Sequence, residues 1–101
     1  MTLNLVIHRP DAAPGSPEEE AIRAALREAV WEVADSHWAP TEESLLVATD
    51  LSADYLLGHF RRGLARRGHP ESGMLMVVRV GINAAWSGMA PEAEAWLAEL
   101  R

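Results

Sequence analysis

The chain has no cysteine and no lysine, a single tyrosine, a single phenylalanine, and no long hydrophobic run. Without cysteine there is no disulfide framework, no thiolate metal site and no cysteine nucleophile, a composition that suits a reducing compartment. The longest apolar stretches, such as residues 74–78, fall far short of the roughly 20 residues that a membrane-spanning helix needs. The opening MTLNLVIHRP has neither a basic leader nor a long apolar centre and does not read as a secretory signal. A soluble cytoplasmic protein with no membrane role is expected.

Several chemical signatures are missing as well. A phosphate-binding loop needs glycines between strand and helix, so that backbone amides can surround the anion. The turn Thr49-Asp50-Leu51-Ser52 has none, and its aspartate would repel phosphate. The four histidines, His8, His37, His59 and His69, are scattered and form no His-x-x-x-His pair, whereas a zinc site of that type needs three or four converging ligands. No Gly-x-Ser-x-Gly element is present, and Ser72-Gly73 and Ser87-Gly88 look like turns. No catalytic residue, metal or cofactor is assigned, and a short chain has little wall from which to build a pocket. The balance is against an enzyme.

What is present fits one small domain over residues 1–101, with about half of its residues apolar. The charge is unevenly spread. Residues 1–57 hold three arginines against eleven acidic residues, and residues 58–79 hold five arginines against one glutamate. A net acidic domain with one basic patch is not built like a typical nucleic-acid binder.

Taken in order, Thr2 to Ile7 alternates polar and apolar and is expected to be a strand near a sheet edge, burying Leu3, Leu5 and Ile7. Ser16-Pro17-Glu18-Glu19 is a capping box with proline at the first helical position. The helix it opens carries a stripe of Ile22, Ala25, Leu26, Ala29, Val30 and Val33 and is expected to reach about Asp35. Ala39 to Glu43 reads as a connection. Leu45 to Thr49 reads as a buried strand, and Ser52 caps a second helix with Ala53, Leu56, Leu57, Phe60 and Leu64 inward. Gly63 lies beside that stripe, where close approach could matter, and Gly68 stops the helix. Met74 to Val80, the most apolar strand, is expected at the centre of the sheet. Ala84 to Trp86 could return as a short strand, and Pro91 starts a last helix. The order β-α-β-α-β-(β)-α implies an α/β domain with a mostly parallel sheet of three or four strands, packed by helices.

Three surfaces stand out. Tyr55, His59, Arg62 and Arg66 recur at helical spacing on the second helix. They could face solvent and pair with the chain's own glutamates, meet an acidic protein, or stack and bind single-stranded nucleic acid. Trp31, and Trp38 if the first helix persists, fall on that helix's polar side. They require either a cover from the chain itself or a partner, including a second copy in a homodimer. In a parallel sheet His8, Asp50 and Arg79, with Asn83 just beyond, would gather at one rim and could hold an anion or move a proton. The preferred expectation is a protein-interaction or regulatory module whose surfaces permit self-association. A small-ligand protein using that rim, or a nucleic-acid accessory using the arginine helix, are the alternatives.

Overall fold

The computed structural model describes residues 2–70, 73–81, 85 and 87–99. The elements run β1 (Thr2–Arg9), α1 (Pro17–Trp31), β2 (Ser36–Thr41), β3 (Ser44–Thr49), α2 (Ala53–Arg66), β4 (Met74–Val80) and α3 (Pro91–Glu99). One four-stranded sheet has the order β2-β3-β1-β4, and every neighbouring pair is antiparallel. The expected mostly parallel sheet is therefore incorrect. β3 and β4 both run opposite to β1, so they share a direction, as a helical crossover requires. They are not neighbours, because β1 lies between them. α1 and α2 thus each bridge a split β-α-β unit, β1 to β2 and β3 to β4.

The two outer assignments exchange places. β1, expected near an edge, is central, and β4, expected to be central, is an edge strand. The segment Ala39 to Glu43, expected as a connection, contributes to β2 and to its hairpin with β3. Here the Thr41 and Ser44 hydroxyls lie 2.7 Å apart, and the Glu43 amide donates to Thr41 Oγ1 at 3.2 Å. Trp38 sits on this strand, since α1 ends at Trp31 rather than near Asp35. The apolar helical stripe ends by Val33, and Pro40 cannot continue a helix, so the segment is free to pair with β3. Of the proposed return segment Ala84 to Trp86, residues 84 and 86 lie outside the described residues, and Ala85 is in no regular element.

The helix signals are realised closely. Ser16 Oγ accepts the Glu19 amide at 3.1 Å, with Pro17 at the first position, and Ser52 Oγ accepts the Tyr55 amide at 3.2 Å. At the end of α2 the His69 amide donates to Leu64 O and the Gly68 amide to Ala65 O. That is a Schellman stop with Gly68 at φ +90°.

The core lies between one sheet face and the pair α1 and α2. Val6, Leu45 and Val47 meet Ile22, Leu26, Ala29 and Val30 from α1 and Leu56, Phe60 and Leu64 from α2. The helices touch where α2 has no side chain: a Cβ on Gly63 would lie 2.9 Å from Ala29 Cβ. β1 turns its more polar set inward. Asn4, Val6 and His8 are buried, while Leu3, Leu5 and Ile7 are half-buried on the opposite face. The expected burial of β1 was thus assigned to the wrong side. That second face carries Leu46 and Ala48 from β3 and Met74, Met76, Val78 and Val80 from β4, by strand alternation. α3 meets the sheet at β2, where Trp96 Nε1 donates to Ser36 Oγ at 2.8 Å, and its Ala93 and Leu97 are buried.

Candidate interaction surfaces

The arginine helix is shaped by its contact with α1. Because Gly63 lets the helices close on each other, residues flanking it reach the carboxylates of α1. His59 Nε2 lies 3.3 Å from Glu32 Oε1, and Arg66 and Arg67 approach the same oxygen at 3.8 and 3.6 Å. Arg67 Nε pairs with Glu28 at 2.8 Å, and Arg67 Nη1 donates to Gly63 O at 3.0 Å. Tyr55 stacks along the helix on His59, with ring centroids 6.3 Å apart and planes 10° from parallel. The column Tyr55, His59, Arg62, Arg66 therefore divides. His59 and Arg66 serve the helix–helix contact, whereas Arg62 and its neighbour Arg61 are exposed, with no ion pair among the described residues. Exposed pairs of this kind contribute about 0–1 kcal/mol each. They set how the two helices align more than how stable they are. Arg67, Glu28 and Glu32 were not singled out from sequence; the signal was Gly63, which marks the face of α2 that meets α1.

The two tryptophans do not form one face. Trp31, the last residue of α1, is 71% exposed and meets His37 edge-on, with centroids 4.9 Å apart. Burial lowers the His37 pKa below its ordinary 6.5. Trp38 follows His37 on the strand and so points to the other side of the sheet, opposite Leu46. Neither the hairpin nor α3 encloses Trp31.

The proposed rim is split by the antiparallel order. His8 pairs with Leu75, while Arg79 pairs with Asn4 and Thr49 pairs with Thr2. His8 thus stands four residues along β1 from the level of Arg79, about 13 Å at strand spacing. Asp50 and Arg79 belong to the opposite end of the sheet, and Asn83 lies outside the described residues. His8 is 3% exposed and instead helps to line a cleft of about 990 Å³ between the start of α1 and the β2–β3 hairpin. The walls of the cleft are cross-linked by charge. Arg9 meets Glu43 at 3.3 Å, Arg23 lies 3.8 Å from Glu19, and Arg23 Nη1 donates to Glu42 O.

A fourth surface was missed by placing β4 inside the sheet. Among the described residues only one side of β4 has a neighbouring strand, and Met74, Met76 and Val78 are each about 45% exposed. Its seven residues are MLMVVRV, with one charge and no proline. An edge strand of this kind offers a row of backbone donors and acceptors beside apolar side chains.

No protein-family model, curated protein or solved structure matches this chain. Among the described residues no three His, Asp or Glu side chains form a metal-ligand group. Among the same residues, no helix is long and apolar enough to cross a membrane.

Proposed function

We propose that the chain is a protein-interaction module without catalytic chemistry of its own, and that it works by taking a partner's extended strand onto the free edge of β4. One observation carries this reading: the most apolar strand lies at an edge that is open among the described residues, with Met74, Met76 and Val78 exposed. Strand addition uses main-chain hydrogen bonds for affinity and alternate side chains for selectivity, and β4 offers both. The two edges of the sheet are treated differently. β2 contains Pro40 and an irregular register between Trp38 and Thr41, both of which discourage pairing. β4 has neither device. The arginines of α2 support a nucleic-acid role less well, because His59, Arg66 and Arg67 are engaged by Glu28 and Glu32.

The test is the pair of substitutions Met76→Lys and Val78→Lys. Both side chains are exposed, so the circular dichroism spectrum and melting should stay close to native, while lysines on an edge oppose pairing. Any assembly that the wild-type chain forms in sedimentation velocity should be lost. An assembly that survives both lysines overturns the reading.

A second reading, a small-ligand site, is favoured by the cleft beside the buried His8. A specific ligand there would raise the melting temperature. A panel of small carboxylates and phosphates that leaves it unmoved removes that reading.

A further inference from the structure

We infer that the strand β4 accepts is β4 of a second copy, giving a two-fold dimer with one continuous eight-stranded antiparallel sheet; this rests on the edge reading above. Three features select this occupant and this geometry.

The first is what blocks the alternative. Two copies stacked through their second sheet faces would have to accommodate α3, which is tied to β2 on that face by the Trp96–Ser36 hydrogen bond. α3 buries Ala93 and Leu97 and leaves Glu92, Glu94 and Glu99 exposed. An acidic ridge does not pack against the apolar face of another sheet, because its carboxylates would be desolvated without partners. Among the described residues the free edge carries no such obstacle.

The second is register. An antiparallel neighbour continues both faces of the sheet only if residues of like face stand opposite each other. A two-fold axis at Val77 meets that condition and uses all seven residues. Met76 then faces Val78 of the second copy, Met74 faces Val80, and Leu75 faces Arg79. An axis at Arg79 would set the two guanidinium groups directly opposite each other, which is unfavourable. The two exposed apolar strips also become one, continuous with Leu3, Leu5 and Ile7 of each β1.

The third is charge on the helix layer. His59, Gly63, Arg66 and Arg67 mark the side of α2 that meets α1. At 100° per residue, Asp54, Leu57 and Arg61 lie on the opposite flank, above the free edge of β4. Asp54 and Arg61 are both exposed and stand seven residues apart. A two-fold axis runs the two α2 helices antiparallel, so the Asp54 end of each copy lies beside the Arg61 end of the other. Such a surface is self-complementary, as an isologous interface must be. It also opposes the two helix dipoles.

The absence of cysteine makes the test clean. The wild-type chain should sediment at about twice its 11.1 kDa, with a dimer fraction that falls on dilution. Under mild oxidation Val77→Cys should form an intermolecular disulfide, since directly opposed residues on antiparallel strands have a Cα spacing that a disulfide can span. Met74→Cys should not, because its two copies would be six residues, roughly 20 Å, apart. Arg61→Asp should weaken the dimer at least tenfold, and Asp54→Arg combined with Arg61→Asp should restore it. Cross-linking at position 74 in place of 77, or failure of the double exchange to restore dimers, overturns the proposal. A wild-type monomer at every concentration overturns it too, yet spares the edge reading if Met76→Lys with Val78→Lys abolishes binding to a different protein.

Discussion

Asn4 gives the most direct check on the packing that positions the sheet. It lies on β1 facing the helices, fully buried, between Val47 on β3 and Arg79 on β4. Neither its Oδ1 nor its Nδ2 has a hydrogen-bond partner among the described residues. Leaving a buried polar group unpaired costs about 1–3 kcal/mol, and Asn4 has two such atoms. Leucine has the same branched outline, so Asn4→Leu removes both unpaired groups without opening a void. Its methyls are larger than the amide atoms, and the crowding costs about 1 kcal/mol or somewhat more. The net expectation is a gain of about 2 kcal/mol. For a chain of this size that raises the melting temperature by about 8–16 °C and the urea midpoint by about 1 M. Far-UV circular dichroism during urea titration measures it directly. Asn4→Ala also removes the unpaired amide but leaves a cavity, so it should fall below Asn4→Leu. A leucine variant less stable than wild type would show that the amide is satisfied in solution, and the reasoning would fail.

Gly73 should tolerate no side chain. Its φ is +86°, and a Cβ there would lie 2.2 Å from Arg9 O and 2.6 Å from the Asp11 amide. Backbone atoms cannot step aside cheaply, so Gly73→Ala should cost about 2 kcal/mol or more; a variant that melts within a degree or two of wild type would contradict the close approach of Gly73 to the end of β1. His37 should make stability pH-dependent. Burial depresses its folded pKa below 6.5, so between the folded value and 6.5 the unfolded chain binds more protons, and the contribution of His37 is present above 6.5 and lost as pH falls through the folded value. His37→Gln should flatten that part of the profile of urea midpoint against pH, and an unchanged slope would show that His37 is not its source.

How much of this was legible from the residues depends on the range over which each signal acts. Helix starts and stops are local: Ser16, Ser52 and Gly68 act on backbone groups within one turn, and each performs the role its position implies. Strand order is not local. The alternation in β1 shows that its two faces differ, but not which face meets the helices. Asn4 and His8 looked like a solvent side, yet they lie under α1 and α2. β2 was hidden because Pro40 and the short run Ser36 to Thr41 carry little apolar content, as a guarded edge strand should. The rim of His8, Asp50 and Arg79 depended on β1 running parallel to β3 and β4, and it disappears when β1 is inserted antiparallel between them.

β4 is the instructive case. An apolar stretch such as Met74 to Val80 is chemically suited to a position with a strand on either side, and the described residues supply a strand on only one. Two explanations are open for such a mismatch: the pattern is incidental, or it describes a sheet larger than one chain. An incidental pattern would be expected to carry the edge defences seen at β2, because an undefended apolar edge exposes a protein to unspecific pairing. β4 carries none of those defences. Its one charge, Arg79, sits next to the end of the strand, where it excludes one axis of pairing and permits the one at Val77. On the helix above, Asp54 and Arg61 are placed so that a two-fold partner joins opposite charges. A strand written for the middle of a sheet would then be in the middle of one, with β4 of each copy at the centre of eight strands.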